Sequence, residues 1–87
     1  MNMELEWDFV NNVEWMFSKR GFRIKRDVIE TFIIECFNRF QYFSETMVEI
    51  FCRYLREKNI DEENISELMV LDYFNYLELW NFDYKQE

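Results

Sequence analysis

The side chains able to do chemistry in this chain are carboxylates, two cysteines and scattered hydroxyls; its 87 residues include no histidine. Without imidazole the commonest general base, the Ser–His and Cys–His nucleophile pairs and the usual zinc ligands are all missing. Cys36 and Cys52 are too few to close a zinc site or to form a disulfide framework. Both fall on or near helical apolar faces, where a free thiol behaves as a small hydrophobe. Ser18, Ser44 and Ser66 fall at helix ends, where capping accounts for them. Gly21, the single glycine, cannot build a phosphate-cradling loop. Paired acids can do acid–base work, and Glu30 with Glu35, or the run Asp61-Glu62-Glu63, come nearest. Capping and solvation of helix faces account for them, and the run lacks the alternating oxygen ligands and central glycine of an EF-hand loop. The sequence predicts a protein that is not an enzyme and holds no metal or cofactor.

Two surfaces remain that could bind. Between residues 19 and 26 lie five bases and no acid: Lys19, Arg20, Arg23, Lys25 and Arg26. Such a cluster serves either as a patch for phosphates or acidic partners, or as neutralisation of a helix end by the acidic remainder of the chain. From Asp61 onward there are eight acids and one base, Lys85. Among those acids, Asp72, Glu78 and Asp83 are interleaved with Tyr76, Trp80 and Tyr84. Exposed carboxylates steer encounter with a basic surface, and Tyr and Trp are typical interface anchors. A carboxylate row beside aromatic rings would also imitate phosphates beside stacked bases. These six residues are the candidate partner-binding set.

Four helices must position them. Residues 3–20 carry Leu5, Phe9, Val10, Val13, Met16 and Phe17 at i, i+3, i+4 spacing, and Gly21 stops that helix by taking positive φ. Residues 28–43, capped by Asp27 with Glu30 as box partner, carry Ile29, Phe32, Ile33, Cys36, Phe37, Phe40 and Phe43, the spine of the core. Residues 47–58, capped by Thr46 with Glu49, point Met47, Ile50, Phe51, Tyr54 and Leu55 inward. Asn59 ends them in the left-handed region with Ile60 folding back. Residues 67–82 start at the Ser66 cap with Ile65 stapled to Val70. Val70, Tyr73, Phe74, Leu77 and Trp80 form the core stripe of this last helix. Leu71, Tyr76, Leu79 and Phe82 fall outside the stripe, so the helix is either central to its own fold or half-covered by a partner.

Length and composition agree with one compact four-helix bundle, all-α. A chain this short buries about 60–65% of its unfolded surface, so its core needs large side chains, and 21% of its residues are aromatic. With one Gly and no Pro, the turns of an all-β fold are unsupported. A net charge of −8 disfavours naked nucleic acid, whose binding is carried by Lys and Arg, and favours a basic protein surface. No uncharged apolar stretch approaches the ~18 residues of a membrane span. The opening Met1-Asn2-Met3-Glu4 is acidic where a secretory leader is basic. With two unpaired cysteines, this predicts a cytoplasmic protein.

The stretch from Thr46 through Met47, Val48, Glu49, Ile50, Phe51, Cys52, Arg53, Tyr54 and Leu55 to Ile60, then Ile65-Ser66 to Tyr73 and Leu77, resembles a helical pair of the SAM-like core-binding domain of phage integrases, over roughly a third of the chain. The resemblance implies DNA engagement ahead of a catalytic domain, and the acidic charge departs from it, so no functional residue carries over. In general character the chain is similar to small acidic phage inhibitors of host defence such as anti-CRISPR proteins, and its richness in Asn, Ile, Phe, Tyr and Glu suits an AT-rich mobile element. The expected function is inhibition of a nucleic-acid-handling host protein by blocking a basic groove. Alternatives are a scaffold or adaptor that dimerises through the last helix, and a nucleic-acid binder using residues 19–26.

Overall fold

The computed structural model describes residues 5–80 and 82. Among these there are four α-helices and no strand: α1 (Trp7–Ser18), α2 (Arg26–Phe40), α3 (Glu45–Glu57) and α4 (Glu67–Leu79), with a single 3-10 turn at Glu62–Asn64 between α3 and α4. None of them is long and apolar enough to cross a membrane.

Three of the expected helix ends hold. Gly21 adopts φ 91°, and the N–H of Phe22 reaches back to the carbonyl of Phe17 at 3.0 Å. Asn59 sits at φ 54°, while Ile60 N–H donates to the Leu55 carbonyl at 3.1 Å. Both are Schellman closures, in which a left-handed residue lets the chain satisfy a carbonyl the helix leaves open. At the start of α4 the Ser66 hydroxyl accepts the Met69 N–H at 3.2 Å, and Ile65 and Val70 on either side of the cap are both buried.

Other boundaries differ from the sequence expectation. α1 begins at Trp7 with Glu6 extended before it, and residues 3 and 4 lie outside the described residues. α2 begins at Arg26, so Asp27 is inside the helix rather than its cap. Its carboxylate accepts the N–H of Val28 at 2.9 Å, satisfying a first-turn donor from within. α2 also stops at Phe40 instead of residue 43, because Gln41 takes φ 66°. Ser44, not Thr46, precedes α3. Its N–H donates to the Met47 sulfur at 3.2 Å, and Glu49 is turned toward Arg20 instead of completing a box.

Phe32 is the centre of the core. Its ring lies 5.5 Å from Phe17 of α1, 5.0 Å from Phe51 of α3 and 5.4 Å from Phe74 of α4, centroid to centroid. One α2 side chain therefore touches all three other helices. Phe37, Phe40 and Phe43, placed in the spine by periodicity, are only half-buried at its margin. α4 joins the bundle on the α2 side and through Tyr73, which meets Phe51 at 4.7 Å and Tyr54 at 5.0 Å on α3. α1 likewise packs on α2 and α3. α1 and α4 each pack on α2, with no extensive packing between the two.

Cys36 and Cys52 are free and fully buried. Burial pushes both thiols up, Cys52 to about 11, with the Glu35 charge adding to the rise at Cys36. Neither thiolate forms at neutral pH, so both act as core hydrophobes.

Candidate protein-binding surface

α4 owes its position to a continuous apolar stripe. Val70, Tyr73, Phe74 and Leu77 are buried, and they occupy less than half the helix circumference at 100° per residue. The other half should be polar if water alone were to cover it. It is not: Leu68 is 68% exposed, Tyr76 52%, Leu79 78% and Trp80 68%.

Leu68, Asp72, Tyr76 and Trp80 follow one another at i, i+4 spacing and so form a single ridge along the helix. The rings of Tyr76 and Trp80 lie 6.2 Å apart. Trp80 extends the ridge past the last helical residue because its N–H still donates to the Tyr76 carbonyl, at 3.3 Å. Leu79 and Asn75 stand on the neighbouring ridge. From Asp61 to Trp80 the chain has six acids and no base. Asp72 and Glu63 have no ion-pair partner among the described residues.

Of the expected partner-binding set, Asp72, Tyr76 and Trp80 are brought together on this ridge. Trp80 was expected in the core stripe; it stands past the last residue of α4, Leu79, and is 68% exposed instead. Phe82, expected outside the stripe, folds back onto the core as its N–H closes on the Leu77 carbonyl at 3.0 Å. Glu78 does not join the ridge: it faces α2 and pairs with Arg39 at 3.1 Å. Arg39 in turn binds Glu35 at 2.6 Å and the Asn75 side chain at 2.9 Å. Thr31 donates to Glu67 at 2.7 Å along the same seam. Glu78 and Glu67 therefore fasten α4 to α2. Asp83 and Tyr84 lie outside the described residues. Leu68, missed in the sequence, carried one signal: it stands four residues before Asp72.

The basic segment is largely consumed within the molecule. Lys19 and Arg20 both grip Glu45, at 2.6 and 2.9 Å, and Arg20 reaches Glu49 at 3.8 Å. These bases hold the Glu45 carboxyl below its usual range. Arg26 donates to the Asn11 side chain at 2.9 Å and lies 3.7 Å over the Trp7 ring. The backbone N–H of Arg23 donates to Glu62 at 2.9 Å. Only the side chains of Arg23 and Lys25 project without a partner among the described residues. Arg23 borders a groove of about 380 Å³ between α1 and the connection to α2, walled by Trp15 and floored by Phe22 and Ile24.

Among the described residues no three acidic or cysteine side chains converge as a metal-binding group. No protein-family model, curated protein or solved structure matches the chain.

Proposed function

We propose that this protein acts by binding rather than by catalysis, and that the outer face of α4 docks on a basic, partly apolar surface of another protein. A single observation carries this: a helix already seated on its own core exposes Leu68, Tyr76, Leu79 and Trp80 around Asp72, with no base along the whole segment. Apolar side chains concentrated on one face mark an interaction site. The aromatic ones supply anchor energy and the carboxylates supply steering.

The partner chemistry follows from the sign of the charge. A second copy would bring two acidic faces together, and like charges across an interface are unfavourable. A basic surface removes that conflict. Grooves that hold single-stranded nucleic acid combine basic side chains with apolar stacking faces, so occlusion of such a groove is the form of binding we favour, in the manner of a small phage inhibitor. Buried free thiols suit the reducing cytoplasm as its place of action.

The test compares baits. The full chain, a Leu79→Glu variant and a Tyr76→Ala variant are each used to retain proteins from host extract. A basic protein held by the wild type and lost by both variants is the expected result. Retention unaffected by either variant would move the interface off α4. Sedimentation that shows a wild-type dimer dissociated by Leu79→Glu would identify a second copy as the occupant.

A further inference from the structure

The chain has three tryptophans, all with most of their surface exposed, and they are treated differently. Arg26 lies over the ring of Trp7 at 3.7 Å. Lys19 lies over the ring of Trp15 at 4.6 Å. Each indole on α1 therefore has a face occupied by a cation of its own chain, and both cations come from the segment that follows α1. Trp80 has none among the described residues. Its neighbour on the ridge is another ring, Tyr76, and the next side chain along is the carboxylate of Asp72, which has no ion-pair partner among the described residues. No base occurs between Lys58 and Lys85.

An indole face attracts a cation through its quadrupole, more strongly than any other aromatic side chain does. Two adjacent rings set 57° apart, with centroids at 6.2 Å, offer a wider negative face than either alone. A guanidinium suits it best, because it is planar, weakly hydrated and stacks while its edges remain free to hydrogen-bond. Asp72 stands one helical turn before Tyr76, ~6 Å along the axis, and two turns before Trp80, ~12 Å. A guanidinium stacked on the Trp80 ring is beyond hydrogen-bond reach of Asp72, so Asp72 takes a second base.

Resting on the docking role of α4, we infer that the Tyr76–Trp80 pair is the receptor for an arginine side chain of the partner, with a further base of the same segment against Asp72. The partner surface then presents an arginine and a second cation roughly 6–12 Å apart. The apolar contacts of Leu68 and Leu79 flank that line and supply the dry part of the interface.

The three tryptophans give three separate indole N–H signals, so a ¹⁵N-labelled full chain reports on each. Titrating it with hexa-arginine amide at about 0.15 M salt, where exposed charges are screened beyond about 8 Å, should shift Trp80 saturably and leave Trp7 and Trp15 in place. Hexalysine amide should bind more weakly. Trp80→Leu should weaken hexa-arginine binding about fivefold, the worth of one exposed cation–aromatic contact, whereas Trp15→Leu should not. Because Trp80 is exposed, its replacement leaves the core intact, and the remaining amide spectrum verifies this. A silent Trp80, or equal affinity of Trp80→Leu, overturns the inference. So does a Lys85→Met variant whose Trp80 signal moves in the free protein while hexa-arginine binds more tightly, since Lys85 would then be the occupant. The bait comparison reads the docking face without any arginine peptide. A face-dependent partner together with a silent Trp80 removes the arginine receptor alone; loss of both removes the docking face as well.

Discussion

α1 and α4 both pack on α2, and both show large aromatic rings to solvent. The charges set against those rings differ. Around Trp7 and Trp15 the chain supplies its own cations, Arg26 and Lys19, and Glu45 and Glu49 of α3 pair with Lys19 and Arg20. Over Tyr76 and Trp80 no cation lies among the described residues, and the charged neighbour on their ridge is the carboxylate of Asp72. An exposed ring paired with a cation from its own chain has its charge preference met internally; one left beside a carboxylate still lacks a cation. The same residue types thus make a finished surface on α1 and an unfinished one on α4.

The largest effect expected is on the element that both helices pack on. Phe32→Ala removes a ring in contact with α1, α3 and α4 at once, and should cost ~3–5 kcal/mol in denaturant unfolding. Phe37→Ala, at the half-buried margin, should cost roughly half as much, in proportion to the apolar area removed. Equal losses would mean that α2 has no single centre and that α1 and α4 are supported separately.

Next in size is loss of the docking anchor. Tyr76→Ala should leave unfolding within ~0.5 kcal/mol of the wild type, as exposed changes do. Against the retained partner it should cost ~2 kcal/mol or more, seen as faster dissociation. Asp72→Asn should chiefly slow association and flatten its salt dependence. Wild-type kinetics in both variants would transfer the interface to α1, where Trp15 and its groove are the remaining aromatic surface.

A smaller effect separates the two kinds of tryptophan directly. Trp7→Leu gives up the stacked Arg26 and should destabilise the fold by ~0.5–1 kcal/mol. Trp80→Leu gives up no such contact and should change stability by less. If Trp80→Leu proved the costlier of the two, Trp80 would belong to the fold and not to a partner.

The sequence displayed the helices because apolar side chains recur with the helical period and Gly21, Asn59 and Ser66 mark ends by local chemistry alone. It concealed what depends on three dimensions. Gln41 turns left-handed with no glycine to announce it, so α2 appeared three residues too long at its end. Trp80 and Phe82 exchange roles because α4 ends at Leu79 and the Phe82 N–H closes on the Leu77 carbonyl, and helical periodicity does not extend past a helix end. Glu78 looked like a free carboxylate until Arg39, thirty-nine residues earlier in the chain, was placed beside it. Charge composition likewise made residues 19–26 a basic patch, although Lys19, Arg20 and Arg26 find partners on α1 and α3.

The smallest effect concerns that basic segment, and pH is the means to see it. Lys19 and Arg20 hold the Glu45 carboxyl below its ordinary value of 4.5 by hydrogen bonds and by their charges. A carboxyl whose folded value is depressed binds its proton less readily when folded than when unfolded. The stability it contributes is therefore complete above the unfolded value and is lost as pH falls through the folded one. Between about pH 5 and pH 3 the wild type should lose stability more steeply than Glu45→Gln, while at pH 7 the two differ little because the pair is exposed and screened. Added salt should reduce the difference. The same variant also frees Lys19 and Arg20 without adding a base. If the segment owes its lack of a basic patch to Glu45, binding of a short single-stranded DNA at low salt should strengthen in Glu45→Gln relative to the wild type. Parallel acid slopes for the two proteins, with DNA binding unchanged, would show that Glu45 does not hold these bases, and the contrast between a neutralised α1 side and an unneutralised α4 side would rest on Arg26 and Trp7 alone.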